Sequence, residues 1–227
     1  MLRDSLAARA TATHPMPAKN PPPSPPTDLR EACIEAAREA IAAHGVEQLS
    51  LRDVARRLGV SHQAPYRHYP SRDHLLAEVM RRCFQAFATH LDQRGQHTDP
   101  RHELEALGRQ YLGFAVSHPL EYRLMFGTPW PEAADHPDLV RDATHTFDIL
   151  RGVLRRVHGP GARRQAIDLD ALFIWSTMHG MAGVMNGNCI GQLDLSPQVH
   201  RQALTHAMQM LDASLTARLV GVGAMQA

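Results

Sequence analysis

"SLRDVARRLGVSHQAPYRHYPSRDHLL", residues 50 to 76, is the stretch on which the reading of the whole chain turns. Ser50 has the side chain of a helix N-cap, able to accept a hydrogen bond from a free backbone N–H of the first turn. Behind it, Leu51, Val54, Ala55 and Leu58 fall on one face of a two-turn helix, while Arg52, Arg56 and Arg57 fall on the other. Gly59 ends that helix and "GVS" makes a turn. "HQAPYRHY" follows as a third, very short helix, stopped by Pro70. Ser71 then caps a longer helix, with Asp73 in its first turn, running through Leu75, Leu76, Val79, Cys83 and Phe87 to about residue 93. Pro65 interrupts this pattern. Were Ser61 the N-cap, Pro65 would stand at the fourth helical position and delete the first intrahelical bond; were Gln63 or Ala64 the cap, it would lie in the first turn and lose nothing. The later start is expected, with His62 and Gln63 left in the turn.

On the N-terminal side, Thr27-Asp28 supplies another cap with Glu31 in the first turn. "LREACIEAAREAIAAHG" places Leu29, Cys33, Ala36, Ala37, Ala40 and Ile41 at helical spacing before Gly45. Residues 1–26 end in the Pro-rich "PMPAKNPPPSPP" and are expected to form a disordered arm. On the C-terminal side, apolar residues at alternating spacings of three and four build further helices. One begins near Leu104, "PLEYRLMFG" opens another, and a third runs from Leu139 to Val157 and is broken at Gly159-Pro160-Gly161. Two more span Ile167 to Met185 and Pro197 to Leu219. The first of these two is apolar on nearly all sides and must be covered on every face, which implies a partner chain.

The chain has 227 residues, 44% of them hydrophobic but only 5% aromatic, and runs of alternating β-branched residues are almost absent. Strands have little to be built from, so the fold is expected to be all-α. A formal net charge of +1 means that any contact with nucleic acid must come from a local concentration of arginine. Cys33, Cys83 and Cys189 have no ligand spacing and read as buried small hydrophobes of a reducing compartment. No apolar run approaches the ~20 residues of a membrane span, so a cytoplasmic protein is expected. The 15 histidines offer no metal-binding spacing. No metal and no cofactor are assigned.

Two short helices joined by a glycine-containing turn, the second rich in polar and basic groups, make a helix-turn-helix, whose second helix enters the major groove. Between Ser50 and Arg72 stand Arg52, Arg56, Arg57, Arg67 and Arg72 against Asp53 alone. Such an excess displaces counterions from phosphates. A merely solvated face is the alternative, but it would mix in acids.

The segment "AAREAIAAHGVEQLSLRDVARRLGVSHQAPYRHYPSRDHLL" resembles the DNA-binding domain of the TetR family of transcriptional repressors, over about residues 27 to 87. Farther on, "HPLEYRLMFG" and "WSTMHG", with Trp175, His179 and Gly180, resemble the ligand-binding half of the subgroup named for a Trp-His-Gly motif. The resemblance implies a helix-turn-helix head over 27–87, an effector-binding and dimerisation domain over 100–220, and no catalysis. It implies phosphate contacts from Ser50, Arg52, Tyr66, His68 and Arg72, and base contacts from His62, Gln63, Ala64 and Arg67. The chemistry suits the second group: Gln pairs bidentately with adenine, Arg with guanine, and Ala meets a thymine methyl. The alternative reading has the Tyr66 ring wedged between helices, and His62 and His68 satisfied by backbone.

In the C-terminal half an internal pocket is expected, lined by some of Tyr111, Phe114, Tyr122, Met125, Phe126, Trp130, Trp175, Met178, His179 and Met181, because Met-rich aromatic linings adapt to apolar ligands. The same residues could simply be core. The implied protein is a homodimer joined by its last two helices, which sets two heads roughly 34–36 Å apart on a double-stranded DNA operator, and a small-molecule effector releases it. A helical ligand-binding protein or an enzyme with an incidental basic face is the alternative; no catalytic motif supports it.

Overall fold

Asp28 starts the first helix by accepting hydrogen bonds from the backbone N–H of Arg30 and Glu31. The computed structural model describes residues 28–95, 97–187 and 194–224. The Pro-rich arm and Cys189 lie outside the described residues.

Helix α1, Leu29–His44, ends at Gly45, whose φ of 85° few side-chain-bearing residues adopt. Helix α2, Leu51–Leu58, is capped by Ser50 and closed by left-handed Gly59, with Val60 N–H bonding back to Ala55 C=O. Helix α3, Arg72–Asp92, is capped by Ser71. These three helices enclose a small core of Cys33, Ile41, Val54, Tyr69, Leu75 and Val79. The expected third short helix is present only as a single 3-10 turn, Pro65–Arg67. The reason is local. Pro65 has no N–H to give Ser61, and the backbone instead runs through tighter bonds from Ala64 N–H to Ser61 C=O and from His68 N–H to Pro65 C=O.

Helix α3 extends for 21 residues out of the head, and its second half packs against the rest of the chain. There α4 (Pro100–Ser117), α6 (Pro137–His158) and α7 (Arg164–Asn186) pack on one another, with α5 (Pro119–Phe126) bridging α3 and α4. Helix α8, Pro197–Ala224, leans on α4. Among the described residues there is no strand, so the expected all-α class holds. No described helix is long and apolar enough to cross a membrane.

Ion pairs join the layers. Arg38 of α1 reaches Glu121 of α5 at 2.5 Å. Arg81 of α3 reaches Asp142 of α6 at 3.3 Å. Glu103 in the first turn of α4 is 2% exposed and accepts from Arg94 Nε at 3.1 Å and from Arg156 at the end of α6.

Candidate functional site

The head presents its basic groups in two different states. Asp53 accepts from Ser50 Oγ at 2.9 Å and from Arg56 at 2.8 Å, and these bonds, Arg56 first, hold its carboxyl below the usual range. Ser50 Oγ also accepts from Asp53 N–H, so the predicted phosphate contact is at the same time the helix cap. Arg52, Arg57 and Arg67 are exposed and form no ion pair among the described residues. Arg72 is held differently: Nε donates to Leu49 C=O at 3.1 Å, Nη2 to Val46 C=O at 2.7 Å, and Nη1 meets Asp73. Its guanidinium therefore ties the α1–α2 connection to the start of α3.

His62, Gln63, Tyr66 and His68 are exposed, and Ala64 is half-buried as the residue preceding the 3-10 turn. Pro65 is the first residue of that turn and is buried, so the ring faces the interior while its missing N–H leaves no bond unmade. Tyr69, two residues past the turn, is buried with its hydroxyl donating to Arg30 C=O; burial pushes it up to about 12. Pro65→Leu would restore an N–H and let a helix begin earlier, with little change in buried volume. We expect its thermal midpoint to stay within about 5 °C of the wild type, with duplex affinity or preference changed. Loss of cooperative melting would refute this account of the turn.

The second site lies among α3, α4, α6 and α7. Tyr111, Trp175 and Met178 of the predicted set line an apolar cavity of about 40 Å³. Tyr122, Phe126 and His179 form a cluster beside it. Tyr122 Oη lies 2.7 Å from His179 Nδ1, and Tyr111 Oη lies 3.1 Å from Tyr122 Oη and 3.3 Å from His179 Nδ1. Trp175 stacks on His179 at 5.0 Å, and Phe126 meets that ring edge-on. Burial lowers the His179 imidazole, which favours its neutral form. Burial likewise raises both phenols, so they remain hydroxyl donors.

Phe114 and Met125, each 1% exposed, are packed in the core and do not line the cavity. Trp130 packs on Phe84 and donates to Met125 C=O. Several wall residues were not singled out from sequence: Phe87, Gly108, Thr146, Phe147, Leu150 and Met208. Gly108, a glycine inside a helix, was the readable signal, since it marks a close approach. A Cβ there would stand 2.8 Å from Met208 Cε.

Residues 34–79 match the model of bacterial regulatory proteins of the tetR family, and residues 104–211 match the tetracyclin repressor-like C-terminal domain. An HTH-type transcriptional regulator of Mycobacterium tuberculosis is 32% identical over 108 residues, 46% of each chain. The matched stretch thus spans less than half the length of that relative. The crystal structure of the regulatory protein SCO4313 superposes with a TM-score of 0.66 at 24% identity, over 81% of this chain and 94% of that one. A protein of unknown function from Rhodococcus sp. RHA1 does so with a TM-score of 0.63 at 25% identity, over 88% and 97%. With both the head and the larger half of the body matched in the order in which the fold presents them, the chain belongs to the TetR family of bacterial regulatory proteins.

Proposed function

We propose that the protein is a sequence-specific DNA-binding transcriptional regulator, a homodimer released from its operator when a small molecule occupies the cavity of the body. The head, 27–87, reads DNA and the body, 100–220, binds effector and partner. The observation that carries the first part is the set of exposed arginines that form no ion pair among the described residues, Arg52, Arg57 and Arg67, flanking a turn that offers His62 and Gln63. Cations so placed are available to phosphates and guanines.

The outer face of α7 supports the dimer. Leu169, Leu172, Phe173 and Val184 are each about half exposed. Gly180 and Gly183 lie between them, and a Cβ on either would meet nothing within 4 Å of its own chain. Glycine inside a helix costs roughly 1 kcal/mol relative to alanine. No neighbour among the described residues of the protomer requires it, whereas a second helix approaching closely would. Met210 of α8 is likewise exposed, at 55%.

The test is selection of bound duplexes from a random pool at fixed salt. The wild type should return a site with two related halves. Arg67→Ala should bind it about 10- to 100-fold more weakly and lose preference at one base pair of each half. Failure to enrich any sequence, or an Arg67→Ala protein with unchanged affinity and preference, would overturn the reading.

A further inference from the structure

The cavity beside Tyr111 is not isolated. A groove of about 340 Å³ runs between α4 and α8, and Leu104, Ile174 and Met208 belong to the walls of both spaces. Met208 stands at their junction. Its Cε and Sδ would lie 2.8 and 2.9 Å from a Cβ on Gly108, so the thioether is seated against the bare backbone of α4. Methionine is unbranched and turns about three side-chain bonds, so moving it costs little. Around the groove the rim is polar: Arg101 donates to Asp212 Oδ1 at 3.0 Å and to Thr216 Oγ1, fastening α8 to α4.

The inner cavity has a distinct chemistry. None of its lining residues is charged. The Thr146 hydroxyl is already engaged, donating to Ala143 C=O at 2.7 Å. Tyr122 Oη and His179 Nδ1 are joined at 2.7 Å, whereas the Tyr111 hydroxyl, which lines the cavity, is held by longer hydrogen bonds of 3.1 and 3.3 Å that a ligand group can replace. An ion entering such a space would lose its hydration with no countercharge to replace it. A hydroxyl, carbonyl or N–H could exchange water for Tyr111.

Building on the effector reading above, we propose that the cavity takes a neutral, largely apolar small molecule with one hydrogen-bonding group. It enters between α4 and α8 by displacing the Met208 side chain, and it seats that group against Tyr111. With Met208 turned aside, cavity and groove become one space, large enough for a molecule of two or three aromatic rings. The displaced plug belongs to α8, so occupancy acts directly on the helix that leans on α4.

The matched probes are N-phenyl-1-naphthylamine and its 8-sulfonate, the same skeleton without and with a charge. The full chain with Trp130→Phe keeps Trp175 as its single tryptophan, so energy transfer from that indole reports arrival in the cavity. We expect transfer to the neutral probe and binding of the sulfonate at least about tenfold weaker. Met208→Ala should speed association about fivefold or more. Gly108→Ala, which crowds the thioether from its seat, should shift the rate in the same direction, and Met208→Phe, bulkier and stiffer but adding no indole, should slow it. Equal binding of the two probes, no transfer from Trp175 to the neutral one, or rates indifferent to all three substitutions would overturn the proposal. Duplex binding without probe is read in parallel: its loss in the parent protein counts against the regulator reading, whereas intact duplex binding with indifferent rates counts against the entry path alone.

Discussion

Aspartates at both Leu172 and Phe173 are expected to yield a folded monomer that holds its operator about 10²- to 10⁴-fold more weakly than the wild type. The two side chains are 53% and 50% exposed on α7 and contribute little to the protomer's own core. Their replacement should therefore leave the melting of each chain nearly intact. What is lost is the second head: when one head is bound, the other is held near its half-site at high effective concentration, and a monomer forfeits that gain. Light scattering or sedimentation at micromolar concentration gives the mass, and titration with a two-half-site duplex at fixed salt gives the affinity. A dimer that survives both aspartates, or a monomer with wild-type affinity, would place the contact elsewhere. Gly180→Ala offers an independent approach, because its Cβ would add bulk toward a partner without meeting the described residues of its own chain.

Glu103→Leu is expected to lower the unfolding free energy by about 3 kcal/mol, a fall of about 6–12 °C in Tm for a chain of this size. The carboxylate is buried between Arg94 and Arg156, and its removal leaves two guanidiniums facing each other across an apolar side chain. Half-exposed Arg156 can turn to water, which keeps the loss at the lower end for a buried pair. The pH dependence identifies the cause. Burial by itself would raise this carboxyl, but the hydrogen bonds from Arg156 and Arg94 outweigh it and hold the group below its ordinary 4.5. A carboxyl depressed in the folded state contributes stability above its unfolded value, and that contribution fades as pH falls through the folded value. Wild type and variant should thus differ fully above about pH 5 and converge in stronger acid. Glu78, also held low by Arg81 and Arg82 against its burial, titrates in both proteins and cancels. A difference in stability that is the same at pH 3 and pH 7 would assign the loss to packing instead.

Helix boundaries were legible because their signals are local. Asp28, Ser50 and Ser71 each satisfy N–H groups within three residues, and Gly45 and Gly59 adopt backbone conformations that few other residues tolerate. Pro65 was legible for the same reason, since a missing donor is a property of one residue. How far the expected helix shrinks around it was not, because that depends on the bond from Tyr69 N–H back to Pro65 and on how the ring packs inside the head. Arg72 shows the limit more clearly. Its type and position suggest a phosphate ligand, yet its partners are carbonyls of Val46 and Leu49, more than twenty residues earlier and identifiable only once the chain has folded. The cavity divides along the same line. Tyr111, Trp175 and Met178 stand out by side-chain type, whereas Thr146, Leu150 and Met208 reach it only through the way α6 and α8 pack, and Phe114 and Met125 have a suitable composition but face the core.

Helix α3 carries Leu75 in the head and Phe87 in the cavity wall on one uninterrupted run of backbone hydrogen bonds. Twelve residues separate them, a rod of about 18 Å, so a tilt of about five degrees at the Phe87 end swings the Leu75 end by about 1.5 Å. A stiff lever of this kind has no joint at which a disturbance could be absorbed. In the proposed symmetric pair the two swings would add or cancel according to the axis, so that the girth of a molecule beside Phe87 would set the phase between the heads and the pitch of a duplex.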